Sequence, residues 1–374
     1  MRLHLYVRDF PPVGSRSGAG VNKAVAGLAK GFVENGARVT VVCTGSEAGT
    51  ALSPDGYDIV RFKVCDRWKL RLPQELDDYI AACDRSDLFV LSGVFTPAVF
   101  AVSRACRRNG IAYVFWPHDP YHPSLFGSRK YAKWLYWRLF ERRVLADAAA
   151  IQIFADQQRW LRRLGIETPC IKMANGYAAE DVLPTTDLAW HAERPERLLF
   201  VGRFDAYNKG LDILLDAFAE IAGSTGACLT LQGPHSADLP RLQRRAQALG
   251  LDNGRVVFKA PDFTRPAAQI IADHDVVLLP SRFEGFSLAA LEAMCAARVL
   301  LVSEVCALSR YVRAAGCGVV VSPDAASVAN GLKQLLAARP QWPRMGLAGR
   351  DYALRHFRWG SIAGDLLEQY ACRL

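Results

Sequence analysis

Short apolar runs alternate along this chain with longer stretches in which apolar residues recur every three or four positions. Apolar runs of this length indicate strands covered on both faces of a parallel sheet, and the longer stretches indicate crossover helices. A strand at 3–7, a helix at 21–35 and a strand at 38–44 open the pattern. Further strands are predicted at 88–91, 112–116, 150–154, 170–174, 197–201, 228–232, 255–259, 276–280, 299–302 and 318–321. The pattern predicts an α/β chain.

The alternation stops after Asn175-Gly176 in a polar, proline-containing stretch and restarts at Arg197. A chain of 374 residues exceeds what one hydrophobic core usually serves. Two domains are therefore predicted, with a ligand cleft between them. Because open parallel sheets bind ligands at the carboxyl ends of their strands, the loops that follow strands should carry the chemistry.

The charge and the cysteine content limit which partners, metal sites and cellular location are expected. The net charge of +9 favours an anionic partner, which is a phosphate-bearing substrate, an acidic membrane surface or, ranked last, nucleic acid. The ten cysteines show no zinc-site spacing, and no uncharged apolar run reaches 18 residues. Residues 1–7 read as a strand and not as a leader, so a cytoplasmic protein is expected, with peripheral contact at the inner face of a membrane left open.

A glycine-containing loop from Gly14 to Gly20 follows the first strand and opens a helix. Backbone N–H groups near Gly18 and Gly20 can approach an oxyanion there, although a flexible loop without a ligand remains an alternative. The second strand ends at Thr44 without the carboxylate that a dinucleotide dehydrogenase needs, which counts against that class.

The segment 201–211 leaves the first strand of the second half and carries Gly202, Arg203 and Lys209. Two permanent cations beside a helix start suit a diphosphate whose charge grows as a bond to it breaks. Ordinary surface charge is the alternative.

The segment 280–294 runs from a buried strand through a turn into a helix, for which Ser287 is a plausible N-cap. Glu284 lies in the turn and Glu292 about one and a half turns into the helix, so one carboxylate can hold a transferred sugar and the other a ribose. An exposed helix with an ordinary glutamate is the alternative. Phosphate oxygens can accept from the free N–H groups of Gly285, Phe286, Ser287 and Leu288.

His118 follows a strand in the first half, with prolines at 117 and 120 that stiffen its loop. It can hydrogen-bond a sugar or serve a structural role, and the residues alone do not separate the two.

A basic, aromatic stretch at 129–143 can lie on an anionic membrane or line an acceptor groove. A partly buried helix with snorkelling arginines explains it nearly as well. Asp273-His274-Asp275 has metal-binding spacing, but it precedes a strand and so lies at the wrong end for the cleft. No metal site is predicted.

With these residues in view, nearly the whole chain resembles the retaining GT-B glycosyltransferases of the "glycosyl transferases group 1" family. Glu284 to Glu292 is similar to the family's Glu-x7-Glu motif, which implies that Glu284 holds the donor sugar and Glu292 the ribose. Gly202-Arg203 with Lys209 resembles the diphosphate-binding element, which implies that both cations neutralise the leaving group. His118 resembles the family's histidine near the donor sugar.

The resemblance implies an α/β fold of GT-B architecture, with two Rossmann-like domains and a deep interdomain cleft. It places an acceptor-side domain at 1–180, a nucleotide-sugar domain at 181–355 and a terminal helix at 356–374. The implied enzyme is a retaining hexosyltransferase that moves a sugar from a UDP- or GDP-linked donor to a glycan or lipid-linked acceptor in cell-envelope polysaccharide or glycolipid synthesis. It needs no metal or other cofactor. A sugar-nucleotide epimerase and a non-catalytic donor-binding subunit are the alternatives.

Overall fold

The computed structural model describes residues 2–14, 20–64, 71–118, 121, 130–154, 157–190 and 195–373. Its contacts divide the chain into two compact units. Unit 1 comprises the chain up to Gly176 and again from Trp359, and unit 2 is Tyr177–Arg358. These boundaries lie a few residues from those predicted, at 180/181 and 355/356, because the Tyr177 N–H donates to the carbonyl of Phe357 at 2.8 Å.

Unit 1 is built on an eight-stranded sheet in the order β3-β4-β2-β1-β5-β6-β7-β8, in which only the β3–β4 pair is antiparallel among the described residues. Its strands are β1 Arg2–Asp9, β2 Arg38–Gly45, β3 Gly49–Leu52, β4 Asp58–Lys63, β5 Leu88–Ser92, β6 Ala112–Trp116, β7 Ala150–Phe154 and β8 Cys170–Met173. Its first helices are α1 Gly20–Glu34, α2 Gln74–Ala81, α3 Pro97–Arg108, α4 Lys130–Tyr136, α5 Arg142–Ala146 and α6 Gln158–Arg163. A π turn, Trp137–Glu141, joins α4 to α5.

Unit 2 is built on a six-stranded parallel sheet in the order β11-β10-β9-β12-β13-β14. Its strands are β9 Arg197–Val201, β10 Cys228–Gln232, β11 Val256–Lys259, β12 Val276–Leu279, β13 Val299–Ser303 and β14 Gly318–Val321. Its helices are α7 Leu211–Ala222, α8 Leu239–Ala248, α9 Ala267–Ala272, α10 Leu288–Cys295, α11 Ser309–Ala315, α12 Ala325–Ala337 and α13 Trp342–His356. Counted within the unit, the order is 3-2-1-4-5-6, which is that of the dinucleotide-binding Rossmann fold.

The last helix, α14 Trp359–Arg373, packs on α1 within unit 1. Glycines make this contact possible: a Cβ on Gly27 would lie 2.1 Å from Nε1 of Trp359, and one on Gly31 would lie 2.6 Å from the Trp359 carbonyl oxygen. The Asn35 side chain also donates to the carbonyl of Gly360 at 2.8 Å. The final 15-residue helix is therefore part of the N-terminal unit's packing.

The α/β prediction is confirmed, and the strands at 112–116, 150–154, 197–201, 228–232 and 318–321 have the predicted bounds. Strand β3 was not predicted because it is exposed along its whole length and shows no apolar pattern. Strand β4 was not predicted either, although its Ile59 and Phe62 are buried. Among the described helices, not one combines the length and hydropathy that a bilayer crossing requires.

Candidate functional site

The strand order of unit 2 places a topological switch point between β9 and β12. Chain crossovers leave these neighbouring strands in opposite directions, so the loops at their carboxyl ends open a crevice. The loop after β9 carries Arg203 and Lys209, and the loop after β12 carries Glu284. The sheet topology therefore makes neighbours of the two loops that carry these residues, which the sequence analysis singled out in separate segments.

The loop after β9 begins with a close backbone approach. Gly202 has φ +152° and donates its N–H to the carbonyl of Gln232 at 3.0 Å. A Cβ on Gly233 would lie 1.9 Å from the Gly202 carbonyl oxygen, so only glycine fits there. Arg203 follows with an exposed side chain. The turn presents this guanidinium to solvent at the carboxyl end of the sheet.

An ion pair joins the two loops. The Lys209 ammonium lies 2.6 Å from Oε2 of Glu284, and their side chains are 20% and 13% exposed. Ser281 donates its hydroxyl to the same carboxylate oxygen at 3.2 Å. Gly210, with φ +65°, passes so close to β12 that a Cβ would lie 2.2 Å from the Pro280 carbonyl oxygen. The pair is thus held by backbone contact between the loops and remains partly open to solvent.

Arg282 braces this arrangement, and the sequence analysis did not single it out. Its guanidinium makes a bidentate ion pair with Asp212, at 2.7 and 2.9 Å, and lies over the Tyr207 ring. Its N–H donates to the carbonyl of Asn208 at 2.9 Å. The sequence feature that could have identified Arg282 is its position two residues before Glu284. Arg282 positions the loop, and its guanidinium is already paired with Asp212.

The start of α10 completes the candidate site. The Ser287 hydroxyl accepts the N–H of Ala290 at 3.3 Å, as the N-cap prediction requires. The Phe286 ring is buried and packs edge-to-face on Phe357, which leaves its backbone as the part able to meet a ligand. The carbonyl of Gly285 accepts from Ala307, while Leu288 is the first helical residue. Glu292, the fifth helical residue, is buried.

His118 lies in unit 1, in the loop after β6, with an unusual backbone. Its φ is +62°, and its ring stacks on Trp116 with centroids 3.9 Å apart. Nε2 is buried and has no hydrogen-bond partner in the described part of the chain. Burial lowers the pKa of the imidazole to about 3. The side chain is therefore neutral, with one ring nitrogen available for a hydrogen bond.

Some predicted features fall elsewhere. Gly18 lies outside the described residues, and Gly20 is the first residue of α1. Asp273 and Asp275 lie at the amino end of β12, where Asp275 is buried and accepts the N–H of Arg197 at 2.9 Å. Asp273 pairs with Arg265 at 2.8 Å. These acids have structural partners at the edge of the sheet opposite the switch point.

A buried carboxyl group near the carboxyl ends of β5 and β6 was missed entirely. Glu141 ends the π turn, and its Oε1 accepts the N–H of Phe95 at 3.0 Å and the hydroxyl of Tyr121 at 2.7 Å. Phe95 has φ +51°. Burial raises the pKa of Glu141 to about 7. The group ties a strained loop after β5 to the helical layer, and a π turn is a common companion of functional sites.

Comparison with known proteins finds two family models that match the chain. Residues 195–338 match the model described as "Glycosyl transferases group 1", and residues 19–173 match the "Glycosyl transferase 4-like domain". The D-inositol 3-phosphate glycosyltransferase of Nocardia farcinica is 34% identical over 183 residues, which are 47% of this chain and 40% of that protein. The phosphatidyl-myo-inositol mannosyltransferase of Mycobacterium leprae is 28% identical over 57% of this chain and 56% of its own length.

The chain thus spans about half the length of these curated relatives. Among solved structures, the sucrose-phosphate synthase of Thermosynechococcus elongatus superposes with a TM-score of 0.80 at 21% identity, over 99% of this chain and 98% of that one. At this identity the likeness establishes the fold.

Proposed function

Since this chain belongs to the glycosyl transferases group 1 family and has the GT-B fold, we propose that it transfers a sugar from a nucleoside diphosphate sugar to an acceptor hydroxyl. The proposal depends chiefly on the Lys209–Glu284 pair at the switch point of unit 2. In a sugar nucleotide the diphosphate and the sugar hydroxyls are neighbours. The Lys209 ammonium offers a cation to the diphosphate, and the Glu284 carboxylate, 2.6 Å from it, offers an acceptor to the sugar hydroxyls.

The chemistry required of these residues is charge stabilisation. As the bond between the anomeric carbon and the diphosphate oxygen of the donor breaks and a bond to the acceptor oxygen forms, negative charge grows on the leaving diphosphate. Arg203, Lys209 and the first N–H groups of α10 supply positive potential for it. Glu284 holds sugar hydroxyls and Glu292 the ribose.

The stereochemical outcome proposed is retention of the anomeric configuration. We infer a front-face path in which the leaving phosphate helps to accept the proton of the acceptor. The neutral imidazole of His118 provides a hydrogen bond to the sugar without adding charge. No metal ion takes part in the proposed reaction.

A thermal-shift series with UDP, GDP, ADP and their sugars tests the donor proposal. A ligand present at 100 times its Kd stabilises the folded protein by about 2.7 kcal/mol, so one nucleotide is expected to raise the melting temperature and the others to leave it unchanged. Arg203→Ala should weaken that shift, whereas the surface variant Arg244→Ala should retain it. Absence of a shift with every nucleotide contradicts the proposal, and an epimerised sugar formed without acceptor supports the epimerase instead.

A second proposal concerns where the acceptor is presented. The α4 surface, defined by Tyr131 and Leu135 of α4 and by Leu139 of the following π turn, exposes large apolar side chains at i, i+4 and i+8, with Tyr131 89% exposed. Arg138, Arg142 and Arg143 are exposed in the same helical stretch, within four residues of Leu135 or Leu139 in the sequence. Apolar side chains bordered by cations suit the interface of an anionic bilayer. We propose that this surface contacts the membrane that carries a lipid-linked acceptor.

Vesicle sedimentation tests the α4 surface. The protein should bind phosphatidylglycerol-containing vesicles more tightly than purely phosphatidylcholine vesicles, and salt should weaken the binding. The triple variant Tyr131→Ser, Leu135→Ser and Leu139→Ser should lose roughly ten-fold or more in partitioning. Leu347→Ser, at an exposed leucine in unit 2, is the matched control. Equal binding by the triple variant and the wild type would refute the membrane contact.

A further inference from the structure

A cluster of potential metal ligands lies where β1 and β5 begin. This edge of the unit 1 sheet, at the amino ends of these strands, is opposite the edge at which their carboxyl ends lie. His4 is the third residue of β1 and is buried, Asp87 directly precedes β5, and Cys83 follows α2. Each of these three side chains offers one ligand atom, and the nitrogen, sulfur and carboxylate oxygen atoms all lie within 4.8 Å of one another. None of them contributes to the proposed transfer reaction.

The spacing of the ligand atoms matches a tetrahedral site. Nε2 of His4 lies 3.4 Å from Oδ2 of Asp87 and 3.8 Å from Sγ of Cys83. Usual zinc–ligand bond lengths at a tetrahedral angle place nitrogen and oxygen ligands about 3.4 Å apart, and nitrogen and sulfur ligands about 3.6 Å apart. Two of the three ligand-to-ligand distances are thus close to those of a tetrahedral zinc site, and the third pair, Sγ of Cys83 and the Asp87 carboxylate, lies within 4.8 Å.

The surroundings already orient these ligands. The hydroxyl of Tyr79 lies 3.0 Å from Nδ1 of His4, so Nδ1 can donate to it and leave Nε2 as the ligand atom. The imidazole also stacks on Phe89, with centroids 4.6 Å apart. The Asp87 carboxylate accepts the backbone N–H groups of Arg2 and Asp84, each at 3.2 Å. Outer partners of this kind fix ligand orientation in metal sites.

We propose that His4, Cys83 and Asp87 bind a divalent transition-metal ion, with zinc the expected ion and water the fourth ligand. A neutral imidazole, a thiolate and a carboxylate are the ligand types that zinc takes in proteins, and their two negative charges cancel that of the ion. Binding releases the thiol proton of Cys83 to solvent and forms a metal–sulfur bond. The ion would join the end of α2 to β1 and β5 and so stabilise unit 1, independently of sugar transfer.

Cobalt(II) added to the metal-free 374-residue chain provides the sharpest test, because a cobalt–thiolate bond gives an ultraviolet charge-transfer band. One equivalent of cobalt should bring the band to saturation, and zinc should abolish it by displacement. Cys83→Ser should lose the band, and Asp87→Asn should weaken cobalt binding ten-fold or more. Cys228→Ser, at another half-buried free thiol, should retain the band. No band in the wild type, or an unchanged band in Cys83→Ser, would overturn the proposal.

Thiol alkylation tests the same site without substitution. In the wild-type protein, zinc should slow modification of Cys83 by iodoacetamide at least ten-fold, measured by peptide mass spectrometry. It should leave the rate at Cys228 unchanged, because the described structure gives that thiol no metal-ligating neighbours. Equal rates at Cys83 with zinc and with chelator would show that the cluster is only a hydrogen-bonded one.

Discussion

Replacing Glu284 with glutamine is expected to lower the rate of sugar transfer by about 10²- to 10³-fold while unit 2 stays folded. The substitution keeps the size of the side chain but removes the charge that holds Lys209 at 2.6 Å and that is proposed to hold the sugar hydroxyls. The two side chains are only 20% and 13% exposed, so breaking the pair should cost unit 2 some stability as well as most of the activity. Initial rates of transfer, with circular dichroism to verify folding, provide the measurement.

The matched control is Arg265→Gln, which breaks a 2.8 Å ion pair with Asp273 at the amino end of β12. That variant should transfer at the wild-type rate. Glu284→Gln should still show a thermal shift with the nucleoside diphosphate, because Arg203, Lys209 and the start of α10 remain in place. A Glu284→Gln enzyme with undiminished kcat/KM would contradict the assigned role, and loss of the nucleotide shift as well would point to a collapsed loop.

Glu141→Gln is expected to remove a pH dependence from the stability of unit 1. The carboxyl pKa is raised from 4.5 to about 7 by burial, so the folded state favours the protonated form. The stabilisation is full below the unfolded pKa and is lost as pH rises through 7. Between pH 5 and pH 8 the wild type should therefore lose unfolding free energy on the order of 2 to 3 kcal/mol, and the variant should lack that component.

Hydrogen exchange of peptides from β5 and β6, followed across this pH range, gives the unfolding free energy of unit 1 separately from unit 2. Glu47→Gln is the matched control, because Glu47 is an exposed glutamate in unit 1, after β2. It should keep the wild-type pH slope. The same slope in Glu141→Gln would show that another group titrates. The Glu141 carboxyl group affects the stability of unit 1 because its hydrogen bonds with Phe95 and Tyr121 tie the loop after β5 to the helical layer.

The loops of the candidate site were predictable because each follows a strand with a strong apolar signal. β9 and β12 are almost wholly buried, and their sequences identify them without knowledge of their neighbours. The glycine at 202 and the N-cap at 287 are local signals as well. The same local logic placed Glu284 in a turn and Glu292 inside a helix, and the structure has both there.

The pairings across the fold were not predictable in this way. Glu141 is an ordinary glutamate in a basic, aromatic stretch, and only packing shows that it is buried beneath Phe95 and Tyr121. Arg282 reads as surface charge until Asp212 is found opposite it. The cluster of His4 and Cys83 needs β1 and β5 to be neighbours, although 83 residues separate His4 from Asp87.

The sequence by itself determined the fold class, most strand positions and the kinds of chemical group that follow the strands. Those properties depend on burial and on local hydrogen bonding, which leave a periodic pattern in neighbouring residues. The tertiary structure alone decided which groups meet. Strand order sets the distance between Lys209 and Glu284, and that order arises from packing between segments far apart in the chain, which no local pattern records.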